Sequence, residues 1–477
     1  MGNGMEILKE NFNQIEVYIF GASAGGGHVY DIFTNLGIKI AGFVDNSEKK
    51  WGTLFREVMV HAPEILNECT ENQKIVIAST YHDEITGQLL AMGIAREKIV
   101  MKDQLIRDAL CLKEPERNVF QYQGGRVLFD LSEGFILSGV VNWTINLVEQ
   151  MHQDKEDFYV LSMKRKDGNY DYGKIADRIF WADYSLNRYQ QSIEETIAFI
   201  EAKLPCKIVI NQISQIFWAA CLVKQKYKDQ IEIVSIIHSD FSRIYEQNAF
   251  LDGFIDSYIC VSREIYGAMK EKYRIAEEKL HYRPTSTEYD REYQREASGA
   301  QKPLAIAYAA RIEKAQKRAD LLLPLIRLLE KSGMDYRLNI AGDGTYYKEL
   351  ENFIRGQGIS ERVTLYGALP YDAMRDFWKG NDVFINLSDI EGMPVSLLEA
   401  MSWGCVPVVT KTSGTKATVE EGVNGFICER EDVDSVFEKI LLLDRDREQL
   451  YEMAGACRNK VEERHDRGEY VRFLKSV

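Results

Sequence analysis

The chain has 477 residues, which is too long for one hydrophobic core and predicts several domains of roughly 100–200 residues each. Its formal charge of −14 argues against a nucleic-acid-binding protein, because such a protein normally presents a basic face. A hydrophobic content of 45% with 28% charged residues is typical of an ordinary globular protein.

Eight cysteines are spread along the chain without a C-x-x-C pair or a cluster with histidines, so we interpret them as reduced structural thiols. The amino-terminal residues lack the basic and apolar regions of a signal peptide. No window is apolar over the ~18 residues that a membrane-spanning helix needs. We therefore expect a cytoplasmic protein whose contact with a membrane, if it has one, is peripheral and at the inner face.

The first unit alternates strands and helices. A predicted strand at residues 15–20 is followed by a glycine-rich turn and a helix that stops at Gly37. A second strand ends at Asp45, and another is predicted at 74–80. This alternation predicts a parallel α/β sheet, and the charged segment 112–118 ends the unit.

Two further α/β units follow. The second begins with a strand at 126–132 and the helix of residues 140–151, and its other predicted strands lie at 158–163, 207–212, 231–238 and 257–262. The segment 297–303 combines glycine, proline and polar residues, which predicts a linker. The third unit has predicted strands at 304–310, 336–342, 363–367, 382–388 and 406–410.

The stretch EGMPVSLLEAM (391–401) places two glutamates on either side of a predicted helix start in the third unit. The preceding strand ends near Ser388, so the loop lies at the carboxyl edge of a parallel sheet, where ligands bind. Pro394 suits the first helical turn, and the free N–H groups of Val395 and Ser396 favour binding of a diphosphate. Glu391 and Glu399 then fit the two ends of a nucleotide-sugar. The alternative, a solvated loop glutamate and a surface helix glutamate, is about equally common for the bare spacing.

Two cations precede this stretch in the third unit. Arg311 follows the first strand of the unit and Lys317 precedes a helix, so both are expected beside the diphosphate, which they would neutralise. The alternative is that the cations of this segment are solvated loop charges, an interpretation that suits Lys314 and Arg318 better than it suits Arg311 and Lys317. Gly342 begins a Gly-Asp-Gly turn at the same edge, which is either part of the site or a simple tight turn.

These motifs, in this order, resemble the nucleotide-binding half of family 4 glycosyltransferases of the GT-B fold. The resemblance rests on Arg311 with Lys317, then on the segments AGDG, VTLYGALPYDAM, EGMPVSLLE, AMSWGCVPVVT and GVNGFI. It implies two Rossmann-like domains that face a cleft, with an additional small Rossmann-like α/β domain before them. The second unit resembles the acceptor half through SGVVNWTINLV, IIHSD and DSYICVS, although Ser138-Gly139 replaces the usual Gly-Gly pair.

The resemblance also implies roles for individual residues. Glu391 resembles the residue that holds the donor sugar, and His238 resembles the acceptor-half histidine that faces this sugar. The implied catalytic residues are Glu391, His238, Arg311 and Lys317, and the implied donor-binding residues are Gly139, Gly342, Gly392, Met393, Pro394, Val395, Ser396 and Glu399. It implies transfer with retention of configuration and without a metal. Asp432-Val-Asp434 and Asp444-Arg-Asp446 both have the D-x-D pattern that some other transferases use to bind manganese. We interpret the first as a helix cap region and the second as an exposed helix face.

The first unit contains an imperfect dinucleotide fingerprint, because Ser23 stands where the central glycine is expected. Its candidate nucleotide site consists of Gly21, Ser23, Gly25, Gly26 and Asp45. The unit resembles the small Rossmann-like domain that is fused to bacterial sugar-modifying enzymes and is thought to bind a nucleotide or nucleotide-sugar. A purely structural domain is the equally weighted alternative.

The sequence therefore predicts a bacterial-type glycosyltransferase that uses a UDP- or GDP-sugar, needs no other cofactor, and acts on a glycan or lipid-linked glycan of a surface polysaccharide. The predicted domains are an accessory domain (1–118), an acceptor-binding domain (119–298), a nucleotide-sugar-binding domain (299–455) and a C-terminal helix (456–477) that returns to the acceptor-binding domain. Alternatives are an NAD-dependent sugar-nucleotide epimerase or oxidoreductase that uses the first unit, and a non-catalytic sugar-nucleotide sensor.

Overall fold

A computed structural model describes residues 15–79, 81–115, 125–136, 138–163, 172–183, 188–295 and 302–477. The predicted linker at 297–303 and the end of the segment 112–118 lie largely outside these residues. The fold consists of two compact units, and the first combines residues up to 120 with 182–204 and 213–231. The second combines residues 121–181, 205–212 and 232–477.

The amino-terminal part of the first unit is a five-stranded sheet with strand order β3-β4-β2-β1-β5. Its elements are β1 (Glu16–Phe20), α1 (Ala24–Asn35), β2 (Lys39–Val44), β3 (Leu54–Phe55), β4 (Val58–His61), β5 (Gln73–Ile77), α2 (His82–Ala91) and α3 (Lys102–Ala109). The strands pair in parallel, except for the β3–β4 hairpin. Phe20, Val44 and Ile75 belong to its buried core.

A seven-stranded sheet, with order β12-β11-β10-β9-β6-β7-β8, forms the first half of the second unit. Its strands are β6 (Arg126–Leu131), β7 (Phe158–Met163), β8 (Ile179–Ala182), β9 (Cys206–Ile210), β10 (Ile231–Ile237), β11 (Ser257–Cys260) and β12 (Leu280–Tyr282). The helices along this stretch are α4 (Gly139–Gln153), α5 (Tyr189–Glu201), α6 (Gln215–Lys226), α7 (Ser242–Phe250) and α8 (Arg263–Gly267), of which α5 and α6 belong to the first unit.

A six-stranded parallel sheet, with order β15-β14-β13-β16-β17-β18, forms the second half. Its strands are β13 (Leu304–Ala309), β14 (Tyr336–Ala341), β15 (Val363–Gly367), β16 (Val383–Asn386), β17 (Val406–Thr410) and β18 (Phe426–Cys428). Its helices are α9 (Leu322–Ser332), α10 (Tyr347–Gln357), α11 (Tyr371–Lys379), α12 (Val395–Ser402), α13 (Ser413–Thr418), α14 (Val433–Arg445), α15 (Arg447–Arg464) and α16 (Arg467–Ser476).

The strands of this sheet are apolar along almost their whole length because helices cover both faces of a parallel sheet. Ile306, Leu338 and Ile385 are fully buried. The last helix, α16, contacts α4 through Arg467, which donates from Nε to Gln150 Oε1 (2.8 Å). It also contacts the turn after α4, where Lys475 donates to Glu156 Oε1 (2.6 Å). In the part of the chain that the structure describes, no helix has both the length and the apolar character needed to cross a bilayer.

Candidate active site

Polar side chains follow the buried strands of both halves of the second unit at their carboxyl ends. In the first half, Asn211 follows β9 and His238 follows β10. In the second half, the loop after β16 carries Asp389 and Glu391 before α12 begins. Because the carboxyl ends of parallel strands form the ligand-binding edge of such sheets, these loops define the candidate site.

Glu391 is buried and paired. Its Oε1 atom accepts hydrogen bonds from Lys317 Nζ (2.5 Å) and from Ser388 Oγ (2.8 Å). Both charged side chains are mostly covered, with 16% of Lys317 and 9% of Glu391 exposed. Burial strengthens the attraction between the two charges but also costs each of them its hydration. An anionic ligand that reaches Lys317 would have to compete with the carboxylate.

The loop around Glu391 is fixed through its backbone. Ser413 Oγ donates to the Glu391 carbonyl (2.6 Å). Gln316 donates from Nε2 to the Ile390 carbonyl (3.0 Å), and its own carbonyl accepts from the Asp389 N–H (3.0 Å). The loop is therefore held to the segment that carries Lys317 and to the first turn of α13, so Glu391 has little freedom to move alone.

The loop also touches the other half of the second unit. A Cβ atom placed on Gly392 would lie 2.0 Å from the His238 carbonyl oxygen, so only glycine fits at this position. A Cβ on Gly139, the first residue of α4, would lie 3.5 Å from Val395 Cγ2. The starts of α4 and α12 thus face each other, and Glu391 lies next to the residue that contacts His238.

Pro394 caps the start of α12, and Val395 and Ser396 begin the helix. The first N–H groups of a helix have no acceptor within it and provide a site for an anion. Met393 is buried, and the Thr418 hydroxyl donates to its sulfur (3.3 Å). This packing fixes the backbone that leads into the helix.

Arg311 lies apart from the Lys317–Glu391 pair. It is 59% exposed and is held by Glu313 and by Gln316, to which its Nη2 donates at 3.0 Å. Gln316 connects it to the Ile390 carbonyl, and so to the loop of Glu391. Gly342 packs against the backbone just before Arg311, since a Cβ there would lie 1.9 Å from the Ala310 carbonyl oxygen.

Arg318 is not the solvated loop charge that the sequence suggested. Only 17% of its side chain is exposed, and it pairs with Asp389 (3.2 Å), Glu431 (2.5 Å) and Asp320 (3.3 Å). Three carboxylates raise its pKa above the ordinary range, with the Asp320 hydrogen bond as the largest cause. Arg318 adopts the left-handed backbone region (φ 49°), which turns its side chain back towards the loop of Asp389.

Glu399 lies on α12 close to α4. Burial raises the pKa of Glu399 to about 7, against the opposing effect of the Asn142 and Trp378 side chains. Its Oε1 atom has no hydrogen-bond partner within the residues that the structure describes. Nearby, the Tyr371 hydroxyl donates to Asn146 Oδ1, which joins α11 to α4. A carboxyl with an unsatisfied oxygen in this place has the capacity to accept a ligand hydroxyl.

His238 is partly exposed and lies 5.0 Å from the Trp143 ring, edge to face. Its Nε2 atom is 2.9 Å from Asn211 Oδ1. The Asn211 amide nitrogen donates to the Asp130 carbonyl (2.7 Å) and to Thr144 Oγ1 (3.0 Å), whose own proton goes to the Val140 carbonyl.

This network assigns the tautomer of His238, because Asn211 Oδ1 can only accept a hydrogen bond. Nε2 therefore carries the proton and Nδ1 has a free lone pair. Burial lowers the pKa of His238 to about 3, so the ring is neutral near pH 7. A neutral histidine of this kind can accept a hydrogen bond from a hydroxyl through Nδ1.

The nucleotide-site residues that the sequence predicted in the first unit make hydrogen bonds and close packing contacts within that unit. Asp45 accepts from the Ala22 N–H and the Ser47 N–H (2.9 Å each) and from Lys50 Nζ (2.7 Å). A Cβ on Gly26 would lie 1.9 Å from the Gly21 carbonyl oxygen, and one on Gly25 would lie 2.9 Å from the Ala78 carbonyl oxygen. These glycines are thus required by packing within the unit, whether or not a ligand binds. Ser23 and Gly25 are exposed at the start of α1.

Sequence reasoning missed several residues that shape the site. Ser388 and Ser413 hold Glu391, Gln316 connects Arg311 to the loop, and Asn211 holds His238. Ser388 and Asn211 are polar residues just after buried strands, which was an available signal. Gln316 and Ser413 carry no such signal, because their partners are distant in sequence.

The two D-x-D segments are helix caps. Asp432 accepts from the Ser435 N–H (3.0 Å) at the start of α14, as the sequence suggested. Asp446, however, caps α15 by accepting from the Gln449 N–H (2.9 Å) instead of lying on an exposed helix face. Within the described residues, no group of three or more His, Cys, Asp or Glu side chains is placed to hold a metal ion.

Comparisons with known proteins identify the two parts of the chain. Residues 290–463 match the family model described as glycosyl transferases group 1. These residues form a group 1 glycosyltransferase domain. Residues 13–100 match a second family model, described as C2185-like, N-terminal, so the group 1 domain is preceded by an additional domain.

Individual relatives agree with this family. The chain is 22% identical over 261 residues to N-acetyl-alpha-D-glucosaminyl L-malate synthase of Bacillus anthracis, covering 51% of this chain and 66% of the relative. It is 28% identical over 176 residues to the putative colanic acid biosynthesis glycosyltransferase WcaL of Escherichia coli, covering 35% and 43%. The matched parts thus span less than two thirds of these relatives.

The fold is that of GT-B glycosyltransferases. The crystal structure of Anabaena Alr3699/HepE in complex with UDP and glucose superposes with a TM-score of 0.59 at 16% identity, covering 74% of this chain and all of that one. This similarity confirms the predicted GT-B architecture, and the family models confirm the predicted resemblance to glycosyltransferases and the extra amino-terminal α/β domain. The chain therefore contains a glycosyltransferase domain whose relatives include proteins named for bacterial polysaccharide biosynthesis.

Proposed function

We propose that the protein is a retaining, metal-independent glycosyltransferase that moves a sugar from a UDP- or GDP-linked donor to a glycan acceptor of a bacterial surface polysaccharide. The observation that carries the proposal is the buried Lys317–Glu391 pair beside Gly392, which contacts the His238 carbonyl. The pair supports the proposal because it provides a cation and a carboxylate in the loop that approaches the His238 backbone.

The donor diphosphate would lie at the start of α12, where the Val395 and Ser396 N–H groups meet it. Lys317 would exchange its ion-pair partner from Glu391 to the diphosphate as the bond between the diphosphate and the sugar breaks. Arg311 would add a second, solvent-exposed cation. These two side chains would supply the charge neutralisation that a metal supplies in other transferases. Glu399 would accept the ribose hydroxyls.

Glu391, freed from Lys317, would hold hydroxyls of the donor sugar together with Ser388. Its Oε1 atom is already engaged by both residues, which favours a binding role over attack on the sugar. His238 Nδ1 would accept a hydrogen bond from a further hydroxyl of the same sugar. We propose that the acceptor hydroxyl attacks the anomeric carbon on the face that the diphosphate leaves and passes its proton to an oxygen of the departing diphosphate as the bond between that carbon and the diphosphate breaks, which gives retention.

The amino-terminal domain is proposed to bind a nucleotide or nucleotide-sugar at the exposed start of α1. The Asp45 carboxylate is already bonded to two backbone N–H groups and Lys50, which leaves little capacity for ribose hydroxyls. This disfavours the NAD-dependent alternative, for which nicotinamide absorbance in the purified protein remains the test. The peripheral membrane contact and a lipid-linked acceptor are also part of this proposal.

The test is calorimetric titration of UDP, GDP and ADP into the full chain in EDTA, followed by hydrolysis assays with UDP-glucose, UDP-N-acetylglucosamine and GDP-mannose. We expect one nucleotide to bind, its affinity to fall in Glu399→Ala, and turnover to persist in EDTA. Binding without any turnover would favour the sensor, and binding unaffected by Glu399→Ala would move the nucleotide site to the amino-terminal domain.

A further inference from the structure

A cavity outside the candidate active site borders β12, the strand at one end of the seven-stranded sheet. Its volume is about 520 Å³, within the range of roughly 300–1,000 Å³ that is usual for small-molecule sites. None of its lining residues has a part in the function proposed above. These residues are Arg263, Tyr266, Leu280, His281, Tyr282 and Phe473.

Three aromatic side chains, those of Tyr266, Tyr282 and Phe473, line the cavity, and all three are partly exposed. The His281 ring meets the Phe473 ring edge to face, with 6.2 Å between the ring centroids. The face of an aromatic ring is apolar and carries negative π density, so it packs well against the C–H groups of a sugar ring. The lining therefore suits a saccharide better than a compact inorganic anion.

Arg263, the first residue of α8, gives the cavity a positive charge. Its guanidinium carbon lies 4.8 Å from the centroid of the Tyr282 ring. Its side chain makes no ion pair and no hydrogen bond within the part of the chain that the structure describes. A guanidinium held over a ring still offers N–H groups along its edge, and a carboxylate can accept two of them in parallel.

Two carboxylates beside the cavity already have cationic partners. Glu264, the second residue of α8, lies 3.9 Å from Lys416. Glu277, which accepts from the Tyr266 hydroxyl (3.4 Å), pairs with Lys270 (2.8 Å). The guanidinium in the cavity therefore keeps its charge for a ligand.

A second guanidinium lies beside the Phe473 ring. Arg283 is 5.4 Å from the centroid of this ring, and its Nε atom is buried without a hydrogen-bond partner among the described residues. The His281 ring adds no charge near pH 7, because burial and the charge of Lys207 lower its pKa. Cationic and aromatic groups are thus concentrated here in a chain whose formal charge is −14, which favours an anionic ligand.

The cavity lies two strands away from the candidate active site. Tyr282 is opposite Cys260 of β11, and Cys260 is opposite Ile237 of β10, the residue before His238. Because neighbouring strands are about 4.8 Å apart, Tyr282 lies roughly 10 Å from Ile237 across the sheet. A glycan of a few residues spans this distance.

We propose that this cavity is a saccharide subsite that binds a carboxylate-bearing sugar residue of a glycan, through the Arg263 guanidinium and the aromatic rings that line the cavity. The carboxylate would accept two N–H groups from the guanidinium, and the sugar ring would pack against the aromatic faces. That the bound glycan is the acceptor rests on the proposed function, whereas the binding itself does not.

The test is calorimetric titration of two acidic tetrasaccharides, from hyaluronan and from polygalacturonate, into the full chain. Each is compared with the same tetrasaccharide after reduction of its carboxyl groups to alcohols. We expect at least one acidic tetrasaccharide to bind, and its reduced form to bind at least about tenfold more weakly. Saturation-transfer NMR should show contact between the protein and the C–H groups of the acidic sugar residue.

Variants of the lining residues locate the binding. Arg263→Gln removes the charge at an exposed position and should weaken binding of the acidic tetrasaccharide at least about tenfold, with an unchanged circular dichroism spectrum. Tyr282→Leu removes one ring and should weaken binding about threefold or more. Arg472→Ala is the matched control, because Arg472 is exposed on α16 and pairs with Glu469, and it should change the affinity less than about twofold.

The proposal is overturned if neither acidic tetrasaccharide binds, if the reduced forms bind equally well, or if Arg263→Gln leaves the affinity unchanged. Vesicles that contain phosphatidylglycerol provide a further arm. If they bind the chain through Arg263 while no tetrasaccharide binds, the cavity meets a lipid surface and the proposal is rejected. A wild type that binds the acidic tetrasaccharide but turns over no nucleotide-sugar would reject the proposed function and support this inference.

Discussion

Two acids, Asp45 and Glu391, follow strands at the carboxyl edges of two different sheets, and each lies near a helix that begins beside glycines. Asp45 accepts from two backbone N–H groups and one lysine. The Glu391 carboxylate accepts from two side chains, Lys317 and Ser388. From the sequence, both acids were candidate ligand-binding residues.

The two acids differ in the hydrogen-bond donors that hold their carboxylates. The backbone N–H groups of Ala22 and Ser47 cannot leave Asp45 without rearranging the loops that follow β1 and β2, so this carboxylate acts mainly as a structural cap. Side chains such as Lys317 can rotate towards a new anion, so the Glu391 pair can exchange partners when a ligand arrives. The role of an acid at a sheet edge is therefore better inferred from its hydrogen-bond partners than from its position in the sequence.

Replacing Glu391 should have the largest effect. We expect Glu391→Ala to lower kcat/KM for nucleotide-sugar hydrolysis by about 10²–10³, because it removes the proposed contact to the donor sugar and the carboxylate partner of Lys317. The measurement is initial rates on protein whose circular dichroism matches the wild type. Glu429→Ala, which breaks the exposed pair with Lys411, is the control and should be silent. A rate close to wild type would show that Glu391 is as structural as Asp45.

Glu399 should make stability depend on pH. Burial raises the folded pKa of Glu399 to about 7 from its ordinary value of 4.5, so the folded state binds more protons than the unfolded state between these values. Stability should therefore fall as pH rises from 4.5 to 7, by at most about 3 kcal/mol from this group.

Glu399→Gln should reduce that slope, and urea unfolding at pH 5 and pH 8 would measure it. Asp130, whose pKa burial also raises to about 7, contributes in the same range and should preserve part of the slope. Glu448→Gln, on an exposed helix face, is the control. An unchanged slope in Glu399→Gln would mean that Glu399 is ionised and well solvated in the folded protein.

Replacing Asp45 tests whether this acid is structural and not needed for turnover. Asp45→Ala should destabilise the amino-terminal sheet by about 2 kcal/mol, because two backbone N–H groups lose their acceptor, while hydrolysis rates stay within about twofold. Hydrogen exchange of peptides from residues 15–61 would report the local loss. The exposed Glu71→Ala serves as the control. A large loss of turnover without faster exchange would contradict the structural role.

Replacing Arg311 should have the smallest effect of the four changes when each is expressed as a free energy. It is exposed and already paired with Glu313 and Gln316, so a solvated cation adds modestly to diphosphate stabilisation. We expect Arg311→Ala to lower kcat/KM about tenfold, with a larger loss at low ionic strength than in 0.5 M salt, roughly as screening requires. Lys314→Ala is the neighbouring control. An effect as large as that of Glu391→Ala would place Arg311 within the site during turnover.

Much of the fold was predictable because parallel strands that are covered by helices on both faces have continuous apolar sequences. Each of the predicted strands at 304–310, 336–342 and 363–367 agrees with an observed strand to within one residue at each end. The GT-B architecture followed from motif order and is confirmed by the family and structural similarities. The domain boundaries and residue roles remain predictions.

Side-chain partners were less predictable. Arg318 was expected in solvent, but it pairs with Asp389 and Glu431, which lie 71 and 113 positions away in the chain. Asp446 was expected on a helix face, but it caps the next helix, because the helical pattern did not reveal the break at this residue.

The amino-acid sequence by itself determined the alternation of strands and helices, the glycines at the tight turns and the order of the motifs, because these depend on local geometry and burial. Only the tertiary structure decided that Lys317 pairs with Glu391, that Gly392 meets His238, and that Asn211 sets the tautomer of that histidine. Such pairings join strand ends far apart in the chain, and their energies depend on distance and desolvation, which no local pattern encodes.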